Sequence, residues 1–187
     1  MRAGYEVEYK TAITQDNASF LMQTGLFTNL VKQQNFYLDT ANRIFNKKQI
    51  MLRIRVSDHG LLFTAKSKTS AGLWEQEFFL DTLDFDQPKI IDYLKSQQVF
   101  EPLVLVGKTL TYRYTHQDTF GEWCLDFTAF ATTSDIELEY EVSDTSSNRY
   151  PHFLQQLKKW EISPIPIVSK YERLLNDLAK ETIVESN

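Results

Sequence analysis

The 187-residue chain has little of what marks several protein classes. Its one cysteine, Cys124, excludes an internal disulfide and any cysteine-based zinc site. Six glycines and five prolines leave no room for a long low-complexity tail. Three histidines, His59, His116 and His152, are scattered without metal-ligand spacing. No stretch approaches the roughly 18 apolar residues of a membrane span. The N-terminal MRAGYEVEYK has no apolar run of the kind a signal peptide carries. Basic residues are in deficit, 20 against 25 acidic, and the net charge of −5 disfavours nonspecific binding to a phosphate backbone. What remains is a core-forming composition, 42% hydrophobic and 24% charged. The length suits one domain over residues 1–187. Soluble, cytoplasmic and without a membrane or nucleic-acid partner is the expectation.

The dominant pattern has period 2. Tyr5-Glu6-Val7-Glu8-Tyr9-Lys10, Leu52-Arg53-Ile54-Arg55-Val56 and Ile136-Glu137-Leu138-Glu139-Tyr140-Glu141-Val142 alternate strictly. Such alternation gives a strand one apolar and one polar face. Further strands are predicted at 34–39, 60–68, 73–80, 103–116 and 121–131, about eight in all. Asp58-His59-Gly60 predicts a hairpin turn, and Phe120-Gly121 a second turn. Amphipathic helices are predicted over 15–24, 86–98, 149–160 and 169–183, each with one apolar stripe to lay on the sheet.

The polar positions of these strands are sorted by sign. Glu6 and Glu8, Glu75 and Glu77, and Glu137, Glu139 and Glu141 lie two apart, as do Arg53 and Arg55, and Lys66 and Lys68. Lys10, Arg113 and Asp126 complete the strand charges. Residues i and i+2 are neighbours on one face, so like charges there repel unless something compensates them. A polyanion suits the cationic strands and a hard divalent cation suits the carboxylates. Alternating charge is also what any half-exposed antiparallel sheet shows, and charge can simply guard an edge strand. If about eight strands close into a barrel, the charged faces line a polar interior. The apolar faces of Val7, Ile54, Trp74, Trp123 and Leu138 then lie outside, beneath the helices.

These residues resemble a known family. Glu6-Val-Glu-Tyr-Lys10 resembles the ExExK motif that opens CYTH domains, the triphosphate tunnel metalloenzymes. Tyr37-Leu-Asp-Thr40, Leu52-Arg-Ile-Arg55, Lys66 with Lys68, and Gly107-Lys-Thr-Leu-Thr-Tyr-Arg113 follow in the family's order. So do Asp126 with Glu137-Leu-Glu-Tyr-Glu141 and Ser169-Lys170-Tyr-Glu-Arg173. The resemblance runs from residue 6 to about 178 and is nearest to the small bacterial single-domain members. It implies an α+β fold: an eight-stranded antiparallel barrel forming a triphosphate tunnel, with peripheral helices. It also implies Mg²⁺- or Mn²⁺-dependent chemistry on a small-molecule triphosphate.

By the resemblance, Arg53, Arg55, Lys66, Lys68, Arg113 and Lys170 bind the phosphate chain, with Lys68 the weakest assignment. Asp126, Glu137 and Glu139 hold the metal. Glu6, Glu8 and Lys10 belong to the catalytic set, the two carboxylates positioning a second metal or the attacking water. The reaction implied is triphosphate hydrolysis by in-line attack of water on a terminal phosphorus. Two alternatives stand beside it: an adenylate cyclase of the same fold, and a noncatalytic polyphosphate or nucleotide sensor. The roles of Glu75, Glu77, Glu141 and Arg173 stay open, as do the metal, the physiological substrate and the oligomeric state. Asp39 is expected to order a turn, Cys124 to pack, and Trp74, Tyr112, Tyr114 and Trp123 to lie in the core.

Overall fold

A computed structural model describes residues 2–70, 72–143 and 148–185. In chain order its elements are β1 (Arg2–Glu6), β2 (Glu8–Ala12), α1 (Gln15–Gln23), β3 (Asn29–Thr40), α2 (Ile44–Lys47), β4 (Ile50–Ser57) and β5 (Gly60–Thr69). There follow β6 (Gly72–Leu80), α3 (Pro88–Ser96), β7 (Leu103–Gln117), β8 (Gly121–Ala129), β9 (Ser134–Val142), α4 (Tyr150–Lys159) and α5 (Lys170–Glu185). Two compact units divide the chain. The first contains Met1–Tyr5 and Gln34–Thr109, the second Glu6–Gln33 and Leu110–Asn187.

In the first unit the strand order is β1-β6-β5-β4-β3-β7. The β3–β4, β4–β5 and β5–β6 pairs are antiparallel. The Ser57↔Gly60 pair closes a two-residue loop at Asp58-His59, and Gly60 takes φ +107, which a side chain would resist. Leu52 and Ile54 of β4, Phe63 and Ala65 of β5, and Phe78 and Leu80 of β6 form the apolar face. Ile90, Tyr93 and Leu94 of α3 pack on it. Each such aliphatic or aromatic side chain contributes about 1.5–3 kcal/mol by leaving water. Asp39 does order a turn: its carboxylate accepts the backbone N–H groups of Thr40, Phe45 and Asn46, at 2.7, 2.9 and 3.0 Å, and so holds α2 against β3.

In the second unit the order is β3-β7-β8-β9-β2, with the β7–β8, β8–β9 and β2–β9 pairs antiparallel. Trp123 and Tyr140, opposite one another on β8 and β9, stack at 4.4 Å. With Leu125, Leu138, Leu21 of α1, and Phe153 and Leu157 of α4 they form the second core. Thr14 caps α1 reciprocally with Asn17, and Gly25, at φ +71, follows its end.

The strand count corrects the expectation of about eight: there are nine among the described residues. The unbroken alternation from Tyr5 to Lys10 conceals an interruption at Val7, before which β1 lies beside β6 and after which β2 lies beside β9. Periodicity records which face a residue takes, not which strand it pairs with. The expected first strand is therefore two. Tyr112 corrects a second expectation, being 40% exposed. It shares the parity of Tyr114, but the apolar face thins out there, since its register partner Phe127 and Ile136 beyond it are only partly buried.

The β7–β8 turn carries a hydrogen-bonding centre that alternation does not reveal. Asp118 accepts from the backbone N–H groups of Phe120 and Gly121, from Tyr140 OH at 2.8 Å and from Trp123 Nε1 at 3.0 Å. His152 Nε2 lies 2.8 Å from it. Gly121 is required there, because a Cβ would stand 2.2 Å from the Glu141 carbonyl oxygen. Burial alone would raise the Asp118 pKa, but these hydrogen bonds outweigh it and lower the value from 3.8 to about 2. A depressed folded-state pKa stabilises above the unfolded value, and the stability is lost as pH falls through the folded one. Asp118→Asn is therefore expected to lower the urea midpoint at neutral pH. It should also flatten the acid decline between about pH 4 and pH 2.

Candidate functional site

The second unit gathers buried charge on the face opposite its apolar core. Residues directly opposed in antiparallel strands share a face. Register therefore sets Arg113 beside Asp126, Asp126 beside Glu137, Cys124 beside Glu139, and Glu139 beside Lys10. Glu122, Glu141 and Glu8 form the next row. Asp126 and Glu137 are fully buried, and Glu139 and Arg113 nearly so.

Arg113 grips the cluster through all three guanidinium nitrogens. Its Nε donates to Asp126 Oδ1 at 2.8 Å, and its Nη2 to Asp126 Oδ2 at 2.7 Å and Glu139 Oε2 at 2.5 Å. Its Nη1 donates to Glu141 Oε1 at 2.7 Å. Lys170, the first residue of α5, contacts Asp126 Oδ2 at 2.8 Å, Glu139 Oε1 at 3.0 Å and Glu137 Oε1. Arg173, one turn on, pairs with both Glu137 oxygens and with Asp135. Lys10 holds Glu8 at 2.7 Å. Glu6 is half-buried at the end of β1.

Burial and charge compete at each group. Burial raises the Asp126 and Glu139 pKa values, but Arg113 and Lys170 outweigh it and hold both low, with Lys10 adding to the effect at Glu139. At Glu137, burial and the adjacent Glu139 prevail over Lys170 and Arg173, and its pKa is raised. Burial would lower Lys170 and Arg113; the surrounding carboxylates, Asp126 foremost, raise both.

One oxygen each of Asp126, Glu137 and Glu139 lies within 4.8 Å of the others. Three hard anionic oxygens at that spacing fit a divalent cation of the Mg²⁺ or Mn²⁺ type. Glu122, Cys124 and Glu141 are similarly close. There burial pushes the Cys124 thiol pKa up, so it stays protonated and packs, as expected, as a weak donor toward Glu141.

The first unit carries the cationic strand. Register places Tyr37, Arg53, Thr64 and Glu77 in one row and Asn35 with Arg55 in the next. Arg53 is 7% exposed; its Nη2 donates to Thr64 Oγ1 at 3.2 Å, which in turn donates to Glu77 Oε1 at 3.1 Å. Its Nε, though buried, has no hydrogen-bond partner among the described residues. Arg55 Nε donates to Asn35 Oδ1 at 3.0 Å. Lys66 and Glu75, opposite one another, pair at 3.4 Å, while Lys68 is exposed. Glu75 thus pairs with a cation directly, whereas Glu77 is linked to Arg53 through the Thr64 hydroxyl.

Several supporting residues escape the sequence reading. Asp135 has the same parity as Glu137 and Glu139, so alternation could have included it. Asn35, Thr64 and Asp177 are polar side chains whose partners are far away in sequence, and no local pattern reveals them.

Antiparallel strands with a buried guanidinium row and a buried carboxylate row, the latter with oxygens close enough together to hold a metal ion, characterise this β-sheet protein. The CYTH domain family matches residues 4–174, and the chain belongs to that family. No curated protein matches it. Among solved structures, a Bacillus halodurans protein described as a candidate adenylate cyclase is 25% identical. That match covers 92% of this chain and 98% of that one, with a TM-score of 0.81. A Hippeastrum protein, described as a candidate adenylyl cyclase with a dominant triphosphatase activity, is 18% identical over 92% and 96%, with a TM-score of 0.72. Protein PH1819 of Pyrococcus horikoshii OT3 is 20% identical over 92% and 99%, with a TM-score of 0.66. The antiparallel fold with outlying helices is thus the expected one.

Proposed function

We propose that the protein hydrolyses a small triphosphate, inorganic or organic, with Mg²⁺ or Mn²⁺ as cofactor. The observation that carries this reading is the Asp126–Glu137–Glu139 cluster, three buried carboxylates converging within 4.8 Å in a CYTH domain. Asp126, Glu137 and Glu139 would hold a divalent cation there, which would supply Lewis-acid stabilisation of phosphoryl oxygens and an activated water. Arg53 and Arg55 are the proposed phosphate clamps, since planar guanidinium groups take phosphate oxygens in pairs. The unpartnered Nε of Arg53 supports its part in this. Lys66, Arg113 and Lys170 add positive charge, with Lys68 a weaker contributor because of its exposure. Glu6 and Glu8 are proposed to orient the attacking water, with Lys10 fixing Glu8.

We further propose that residues 1–187 act as one domain, because the family match spans both units, and that the protein works in the cytoplasm. No helix among the described residues is long and apolar enough to cross a membrane. The net charge of −5 argues against a nucleic-acid partner. Arg55→Ala is expected to raise the apparent KM for inorganic triphosphate about 10- to 100-fold, the worth of one hydrogen-bonded charge. An unchanged KM removes Arg55 from the clamp.

Cyclisation is the second reading, favoured by the description of the Bacillus halodurans structure. Incubation with ATP and Mn²⁺ separates the two. Hydrolysis gives ADP and orthophosphate; cyclisation gives cyclic AMP and pyrophosphate. Cyclic AMP as the main product overturns the triphosphatase reading.

A further inference from the structure

Lys170 stands in an unusual place. Its side chain is 11% exposed, and its ammonium meets one oxygen from each of three carboxylates, Asp126 Oδ2, Glu137 Oε1 and Glu139 Oε1. These are the same three residues whose oxygens converge closely enough to hold a metal ion. Lys170 is also the first residue of α5. A cation at a helix N-terminus is opposed by the helix dipole. The position is therefore tolerated because the carboxylates offset that penalty.

The rest of α5 is fastened so as to aim this residue. Asp177 accepts from Thr132 N at 2.8 Å, Thr132 Oγ1 at 2.6 Å and Thr133 Oγ1 at 2.7 Å. Arg173 Nε reaches Asp135 at 2.8 Å and its Nη2 reaches Glu137 at 2.8 Å, while Leu174 is wholly buried. Arg113, by contrast, approaches Asp126 and Glu139 from strand β7 and is shared with Glu141.

We propose that Lys170 is a resident counter-ion whose ammonium holds the place a divalent cation takes among Asp126, Glu137 and Glu139, so that metal binding and release of Lys170 are one exchange. The proposal rests on the reading of that cluster as the metal site. Its basis is simple electrostatics. An ammonium and a divalent cation cannot share three buried oxygens, because their repulsion in a poorly screened site exceeds what either gains. The apoprotein thereby avoids an uncompensated buried anionic cluster. Metal affinity is correspondingly set below what three carboxylates alone would give.

The test is Mn²⁺ binding to the full chain without substrate, read from the electron paramagnetic resonance signal of free Mn²⁺. Lys170→Met keeps the side-chain length and removes the charge. It is expected to lower the Kd for Mn²⁺ about 5- to 150-fold, the usual span of coupling between two ligands. Lys170→Arg keeps the charge and should not tighten binding. In the wild-type protein, Mn²⁺ should increase acetylation of Lys170 by acetic anhydride, read by mass spectrometry, and this readout does not depend on a variant folding. If Glu139→Gln loses Mn²⁺ binding but Lys170→Met binds no tighter than wild type, the exchange is wrong and the metal site stands. Lys170 acetylation unmoved by saturating Mn²⁺ overturns the exchange in the same way. If Glu139→Gln binds Mn²⁺ like wild type, the metal-site reading fails and the exchange with it.

Discussion

Glu139→Gln is expected to reduce metal-dependent phosphate release from inorganic triphosphate by about 10²–10³-fold, the loss of several kcal/mol of transition-state stabilisation. The substitution preserves shape and keeps one carbonyl acceptor. It removes the negative charge that faces Lys170 at 3.0 Å and Arg113 at 2.5 Å. An amide oxygen is a poorer ligand than a carboxylate for a hard cation, and the cluster is left with two anionic donors, Asp126 and Glu137. The effect should fall on kcat and be relieved in part by raising the Mn²⁺ concentration. Far-ultraviolet circular dichroism should match that of the wild type. Undiminished turnover would show that the metal, if used, is held elsewhere.

Arg113→Leu is expected to have the largest effect on stability, a loss of about 3–5 kcal/mol at pH 7, because it strips a buried charge network of one partner. Arg113 is 7% exposed and makes charged hydrogen bonds to Asp126, Glu139 and Glu141. Leucine satisfies none of those oxygens. Without Arg113, the chief opponent of burial at Asp126 is gone, and the folded-state pKa of that carboxyl rises. A group whose folded-state pKa is raised stabilises at low pH and loses that contribution as pH rises through the folded value. The variant should therefore be less impaired at pH 5 than at pH 7, and Mn²⁺ should restore part of its urea midpoint. A loss below about 1 kcal/mol, the worth of an exposed pair, would mean that the network is solvent-screened.

Much of this was legible because strands expose their burial pattern directly. The polar parity of Glu137, Glu139 and Glu141, of Arg53 and Arg55, and of Arg113 with Asp126 already assigned these groups to charged faces, and register bears that out. What parity does not carry is partnership. The break at Val7 leaves the alternation intact while β1 and β2 take different neighbours. α2 is only four residues long, and Asp39, six and seven residues before the N–H groups of Phe45 and Asn46 that it accepts, fixes it by tertiary hydrogen bonds rather than by periodicity. Resemblance marked Lys170 as a candidate phosphate-binding residue. Its contacts with Glu137 and Glu139 span more than thirty positions and depend on where α5 docks, which Asp177 and Thr132 decide. Asp118 belongs to no pattern in the sequence, and its bonds to Trp123, Tyr140 and His152 exist only in the folded chain.

Orthophosphate release from inorganic triphosphate by the wild-type protein, in Mg²⁺, in Mn²⁺ and in EDTA, tests metal-dependent triphosphate hydrolysis most directly. Release in one or both metals, abolished by EDTA and restored by adding the metal back, is the predicted result. Equal release in EDTA, or none with either metal, contradicts it.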